Sequence, residues 1–258
     1  MLRVARHLAG WGIALLLAAC AGAPGRTAAA GSDTTPPDGD ADVQSVIKGV
    51  QMVRDGQVMA ALDGPLDSVI ARYEAAYAHT DAIVYSARGA EDALIYASLP
   101  GTAKPQRPKK VLVLGPAWAM AYWARGFAYN ELARYDDAIA QLRKALERAP
   151  MDSQYHLEIG FAYQGKHQWD ESLAHYKEAQ TDAPFTAANV PDTTCKALRG
   201  QGFALTEMRR YDEARAAYHA CLKLIPGEPR SLAELQYIEQ QTASKATEKA
   251  SGPGAPGP

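Results

Sequence analysis

The stretch AYWARGFAYNELARYDDAIAQLRKALERAP, residues 121–150, decides the fold, because the chain writes it twice more. QYHLEIGFAYQGKHQWDESLAHYKEAQTDAP follows at 154–184 and KALRGQGFALTEMRRYDEARAAYHACLKLIP at 196–226, and the three superimpose without internal gaps. Pro116, Pro150 and Pro184 are each 34 residues apart, and the third unit arrives eight residues late. A period of this length marks supersecondary units that bury their apolar faces only by stacking on one another.

Each unit reads as two helices. Gly126, Gly160 and Gly202 stand in the first, and Ala138, Ser172 and Ala214, then Leu142, Tyr176 and Tyr218, stand in the second. Small residues against large ones let the paired helices approach closely. Tyr135, Trp169 and Tyr211 precede Asp136-Asp137, Asp170-Glu171 and Asp212-Glu213. Those carboxylates fall in the first turn of the second helix, where the helix dipole favours them. Pro150, Pro184 and Pro226 are expected to end that helix.

The pattern of Gly, then Tyr129, Tyr163 or Leu205, then Ala and an aromatic, then Pro resembles the tetratricopeptide repeat. The resemblance implies an all-α fold, an α-solenoid of antiparallel helix pairs, with units at 119–152, 153–186 and 195–228. It covers about 110 residues. It also implies a concave face lined by the first helix of each pair. Here that means Met120, Trp123, Phe127, Asn130 and Glu131, then Gln154, Leu157, Phe161, Gln164 and Gly165, then Lys196, Arg199, Phe203, Thr206 and Glu207. Three of the chain's four phenylalanines hold the same groove position. A ladder of Phe127, Phe161 and Phe203 beside Trp123, rimmed by Lys196, Arg199 and Glu131, would suit an extended or helical apolar peptide. The same rings could instead pack between neighbouring helices and stay covered. Family members that grip a C-terminal carboxylate use Lys and Asn at fixed groove positions; Lys196 fits loosely, but Phe stands where Asn is needed.

At the N-terminus, Arg3 and Arg6 precede an apolar run from Leu8 to Ala19. Twelve residues are too few to span a bilayer and describe a secretory signal at 1–19. Leu17-Ala18-Ala19-Cys20 resembles the lipobox of bacterial lipoproteins, which implies acylation of Cys20. Ala21 in place of Asp implies the outer membrane, facing the periplasm. Residues 20–41 are small, polar and Pro/Gly-rich, a flexible tether. Removing Arg3 and Arg6 leaves 25 basic against 29 acidic residues, a net charge of −4 that asks for no nucleic acid.

Residues 42–115 read as degenerate helical repeats. Val43, Val46, Ile47, Val50 and Val53 make one stripe. Pro65 suits the first turn of a second helix carrying Val69, Ile70, Tyr73 and Tyr77, and 81–98 reads as a third amphipathic segment with Tyr85, Leu94 and Ile95. The Pro/Lys-rich stretch at 100–110 is a loop. Val111 to Leu114 have strand propensity, yet the period places them where a preceding second helix should finish, so a short buried helical or extended piece is expected. They carry no phosphate-loop pattern. A capping helix is expected at 229–242, with Leu232, Leu235 and Ile238 at three-residue spacing, and a disordered tail at 243–258.

With Cys20 taken by the lipid, Cys195 and Cys221 remain. They are positions 1 and 27 of the third unit. In an antiparallel pair whose position 8 faces position 20, positions summing to about 28 lie opposite each other, so a disulfide is expected; two buried free thiols are the alternative. The histidines at 79, 156, 167, 175 and 219 stand one per helix or loop, with no His-Glu-x-x-His, and there is no Gly-x-Ser-x-Gly. No catalytic residue, cofactor or metal ligand is expected. The sequence therefore points to a non-catalytic, lipid-anchored scaffold in the bacterial envelope that binds protein or peptide, or to a structural protein that associates with its own copies.

Overall fold

The computed structural model describes residues 37, 39–99, 110–186 and 188–250, with side chains through 243. The expected signal segment, Cys20, most of the tether and the final residues of the tail lie outside the described residues, as does nearly all of the 100–110 loop.

The repeats form as expected. Helices α5 (Ala117–Glu131) and α6 (Tyr135–Arg148) make the first pair, α7 (Ser153–Gly165) and α8 (Trp169–Thr186) the second, α9 (Val190–Glu207) and α10 (Tyr211–Leu224) the third. Partners pack along their lengths, and α5, α7 and α9 also touch in sequence, so the glycine-bearing helices stand side by side. The glycines explain the spacing. A Cβ at Gly126 would lie 2.4 Å from Leu142 Cγ, one at Gly160 3.0 Å from the Tyr176 ring, and one at Gly202 2.6 Å from Tyr218 Cζ. The Ser172 hydroxyl also donates to Gly160 O at 3.0 Å. Between repeats, Gly165 abuts the Tyr135 ring and Gly200 abuts the Tyr176 ring.

Each pair turns through one residue in the left-handed region: Ala133 (φ 54°), His167 (φ 57°) and Arg209 (φ 60°). None is glycine, and no signal in the sequence marked them.

Pro184 does not end its helix. It sits inside α8, which continues to Thr186. Thr186 Oγ1 accepts from Ser153 N (3.1 Å) and donates to Met151 O (3.0 Å), tying the overrun to the start of α7. The extra residues include that overrun and an early start of α9, capped by Asn189 Oδ1 accepting from Asp192 N at 3.1 Å. Cys195 and Cys221 form the expected disulfide, with Cα atoms 4.4 Å apart. The final helix, α11 (Pro229–Ala250), starts where expected, and its Ile238 is buried. It runs past 242, so the part of the expected disordered tail at 243–250 is helical. Alanine, lysine and glutamate in that stretch are good helix formers.

The N-terminal region departs further from expectation. Helix α1 (Gly39–Arg54) buries Val46 and Val53, but Ile47 is 50% exposed and lies off the stripe. The second helix starts early, as α2 (Val58–Ala61). It passes through a π-helical turn at Leu62–Leu66, kinked at Gly64, before α3 (Asp67–Tyr77). Pro65 lies inside that turn, and its missing N–H breaks the regular ladder there. Arg72 pairs with buried Asp42 and joins α3 to α1.

Residues 81–98 are not one helix. They form β1 (Ile83–Ser86) and α4 (Ala90–Ser98), and Val111 to Leu114 form β2 (Val111–Leu114), parallel to β1 in the register Ile83↔Val111 to Ser86↔Leu114. A small β–α–β unit thus stands where a degenerate repeat was expected. The β-branched and aromatic run Ile83-Val84-Tyr85 meets a second such run, and mutual pairing overrides the helical period.

Two outcomes check this packing. Gly126→Ala lowers the unfolding free energy by about 1–3 kcal/mol in urea denaturation, since the added methyl displaces Leu142. Reduction of Cys195–Cys221, verified by alkylation and mass spectrometry, lowers it by about 3 kcal/mol, the loop-closure value for a separation of this size.

Candidate peptide-binding groove

The inner wall is built on α5, α7 and α9. Its residues fall into three environments. Met120, Trp123 and Phe127 are half-buried, with Trp123 stacked between Phe127 (6.2 Å) and Tyr155 (6.5 Å). Phe203 is half-buried and meets Trp169 of α8 edge-on at 6.0 Å. Phe161, in the middle helix, is 46% exposed. The three phenylalanines therefore make no uniform ladder: the outer two lean on tryptophans and the central one presents its ring to solvent.

Three residues expected on the groove surface are covered, among them Thr206, 4% exposed, whose hydroxyl donates to Gly202 O at 2.8 Å. Leu157 is 8% exposed and packs with Tyr176, Ala179 and Ala197, between the second and third repeats. Asn130 is 5% exposed, and its Nδ2 donates to Glu158 O (3.1 Å) and Oε2 (3.2 Å). Gln154 Nε2 donates to Glu158 Oε1 at 3.0 Å. Glu158, which the sequence did not single out, is thus the centre of a polar network at the base of the wall. Burial pushes its pKa upward, against the hydrogen bonds from Asn130 and Gln154 that favour the carboxylate.

The rim cations are engaged within the chain. Lys196 is exposed and pairs with Asp192 one turn earlier at 2.6 Å. Arg199 reaches Glu228 at 2.8 Å, and Glu228 Oε2 accepts from Ser231 N at 2.7 Å at the start of α11. Arg199 therefore fastens the cap to the array. Half-buried Gln164 donates to Gly200 O at 3.4 Å.

Away from the groove, the structure brings together two histidines that the sequence left scattered. His156 Nδ1 and His175 Nδ1 are 3.0 Å apart, and Tyr163 stacks on His175 at 5.5 Å. Burial lowers both imidazole pKa values to about 4. Asp182 Oδ2 lies 3.7 Å from His156 Nε2, and burial pushes that carboxyl up to about 6. His156 and His175 are positions 4 and 23 of their unit, so the facing rule that located the disulfide also predicts this contact.

A second buried cluster joins the β–α–β unit to the repeats. Arg88 pairs with Asp152 at 2.6 Å, and Asp152 Oδ1 caps α7 by accepting from Gln154 N at 3.0 Å. Burial raises Asp152 to about 6 despite the guanidinium beside it.

One Ser-x-x-Lys spacing does occur, at Ser45 and Lys48 on α1. The Ser45 hydroxyl donates back to Ala41 O at 3.0 Å, a helical back-bond rather than the geometry of an activated nucleophile. Among the described residues no three His, Cys, Asp or Glu side chains are placed to hold a metal ion, and no helix is long and apolar enough to cross a membrane.

Residues 119–151 match the model of the tetratricopeptide repeat family. The matched span is the first unit, α5 and α6. The other two units carry the same glycine-to-large-residue contact and the same left-handed turn as the matched one. No curated protein sequence matches the chain. Among solved structures, the first TPR domain of human RPAP3 is 23% identical, over 52% of this chain and 98% of that one, with a TM-score of 0.45. The second TPR domain of human RPAP3, in complex with an HSP70 peptide, is 21% identical over 48% and 98%, with a TM-score of 0.43. A structure of MamA (MSR-1) is 17% identical over 79% and 88%, with a TM-score of 0.47.

The buried ionisable groups predict the pH dependence. Folded His156 and His175 titrate near 4, below the ordinary 6.5, so the unfolded chain binds more protons between those values. Their contribution to stability is complete above about pH 6.5 and is lost as pH falls towards 4. Asp182 and Asp152, raised from 3.8 to about 6, act with the opposite sign over much of the same window. In urea titrations at pH 7 and pH 4.5, His175→Gln reduces the acid-induced loss of stability by about 1–2 kcal/mol, allowing for partial exposure of the ring, while Asp182→Asn enlarges it.

Proposed function

We propose that this chain is a non-catalytic binding scaffold, held by a lipid on Cys20 at the bacterial outer membrane and facing the periplasm. The inner wall of the repeats takes an apolar segment of a protein partner. Phe161 carries the reading. Its ring stands nearly half exposed at the centre of the wall, on a helix whose other faces are packed. Burying the exposed half of such a side chain contributes about 1 kcal/mol, and half-buried Met120, Trp123 and Phe127 extend the apolar surface to one side. Tightly held aromatic rings cost little conformational entropy on binding, which suits them as anchors.

The rim fits an apolar segment better than a carboxylate clamp. Arg199 is committed to Glu228, and the polar base of the wall is an acid, Glu158, held by Asn130 and Gln154. A free carboxylate would meet like charge there.

The test is photo-crosslinking in intact cells with a photoreactive residue at Gln164, beside Phe161. The expected product is a covalent adduct with a different polypeptide, reduced at least tenfold by the paired change Phe127→Ser and Phe161→Ser in a variant that keeps its helicity. An undiminished adduct removes the wall as the binding face. Adducts formed only between copies of this chain favour the structural, self-associating reading. In the same cells Cys20→Ser moves the protein out of the membrane fraction; retention there removes the lipid anchor.

A further inference from the structure

Among the described residues, one strand edge of the β–α–β unit has no backbone partner. In the two-stranded sheet, Ile83 N donates to Lys110 O (2.9 Å) and Ala87 N donates to Leu114 O (2.9 Å). These bonds set the phase of the parallel ladder, in which alternate residues turn their backbone groups to opposite edges. Leu112 and Leu114 therefore face β1, and Val111 and Val113 turn their N–H and C=O groups away. The two outer edges differ. On the β1 side, the outward Val84 carbonyl accepts from Arg148 Nη1 at 3.4 Å, and α5 and α6 lie against the strand. On the β2 side, no described group bonds to the N–H of Val111 or Val113. All four β2 residues are half-buried, whereas Val84, Tyr85 and Ser86 of β1 are buried. Proteins usually blunt such an edge with charge, proline or a covering element, and Val-Leu-Val-Leu has neither charge nor proline within it.

We propose that the outer edge of β2 is a second docking surface, which takes an extended peptide from another protein as a third strand. Three of the chain's own undescribed segments do not fit the role: residues 20–36, 100–109 and 251–258 contain no valine, isoleucine or aromatic residue and are rich in proline, glycine and alanine. Residues 1–19 are set aside on the proposed reading, in which the signal segment is removed. A second copy does not fit either. Pairing two four-residue strands covers on the order of a few hundred Å², short of the roughly 1,200–2,000 Å² of a stable interface. A flexible peptide has no such need, because main-chain hydrogen bonds supply affinity and alternate side chains supply specificity. The half-buried apolar side chains of β2 select β-branched or aromatic residues at every second position. Exposed Lys110 at the start of β2 selects an acidic residue. In the antiparallel arrangement, the stronger per residue, that acid lies at the peptide's C-terminal end.

The probe is a fluorescein-labelled peptide, Ser-Val-Thr-Val-Thr-Val-Glu, titrated into the full-length protein and followed by anisotropy. Saturable binding is expected, weakened at least tenfold by Val113→Pro, which removes an outward N–H while sparing the ladder to β1. Lys110→Glu weakens it several-fold, and Phe161→Ser leaves it unchanged. Amide exchange on the unaltered protein supplies a reading independent of whether the proline variant folds: the peptide should protect Val111 and Val113, while Leu112 and Leu114 are protected already. Absence of binding, undiminished binding to a folded Val113→Pro variant, or protection confined to the repeats overturns the proposal. So does a concentration-dependent dimer, seen by sedimentation, that the peptide competes away, since the occupant would then be a second copy.

Discussion

The architecture rests on a contact between a missing side chain and a large one. Gly126 and Gly202 admit Leu142 and Tyr218 to distances that even a methyl group would forbid, and Gly160 admits Tyr176 to one that a methyl group would crowd. That proximity sets the spacing within each pair and, through it, how far each first helix advances towards its neighbour. The inner wall is the sum of those advances. Its shape is therefore fixed on the opposite side from the proposed binding surface, and the wall residues are comparatively free to vary in chemistry.

Where the repeats begin, a different device takes over. The β–α–β unit fills the place of a preceding helix pair, and its strand β1 lies against α5 and α6. Arg148 reaches from α6 to the carbonyl of Val84 and also lies over the Trp118 ring at 4.2 Å. Arg88 reaches the other way, to Asp152 at the head of α7. Buried ion pairs of this kind contribute little net stability against an apolar core, but losing either partner is costly, so they enforce a single docking geometry. At the other end Arg199 and Glu228 do the same for the capping helix.

The repeat fold was legible because three registers repeat the same small-and-large pattern, and because facing positions in an antiparallel pair sum to a constant. That rule located Cys195 opposite Cys221. Applied to histidines it also locates His156 opposite His175, a contact that no linear motif marks. The strands were not legible, since Val111–Leu114 has the right propensity but the 34-residue period argued against it. A parallel partner cannot be recognised from one strand alone. Helix overrun at Pro184 depended on a tertiary bond from Thr186 that no local signal announces. In the groove, which helices carry the wall residues was readable. Their exposure was not, because it depends on whether a neighbouring tryptophan leans over each ring, as at Phe127 and Phe203, or leaves it bare, as at Phe161.

The Tyr176 ring touches glycines in two different repeats, Gly160 and Gly200. One side chain is thus shared between the internal seam of the second repeat and the seam to the third. Stacked arrays are described by an intrinsic term for each unit and a coupling term for each junction, and local melting begins where coupling is weak. Here the two terms are carried by the same atoms. The second repeat cannot loosen internally without releasing its neighbour, so these two units melt as one block, with the crosslinked third pair as its anchor.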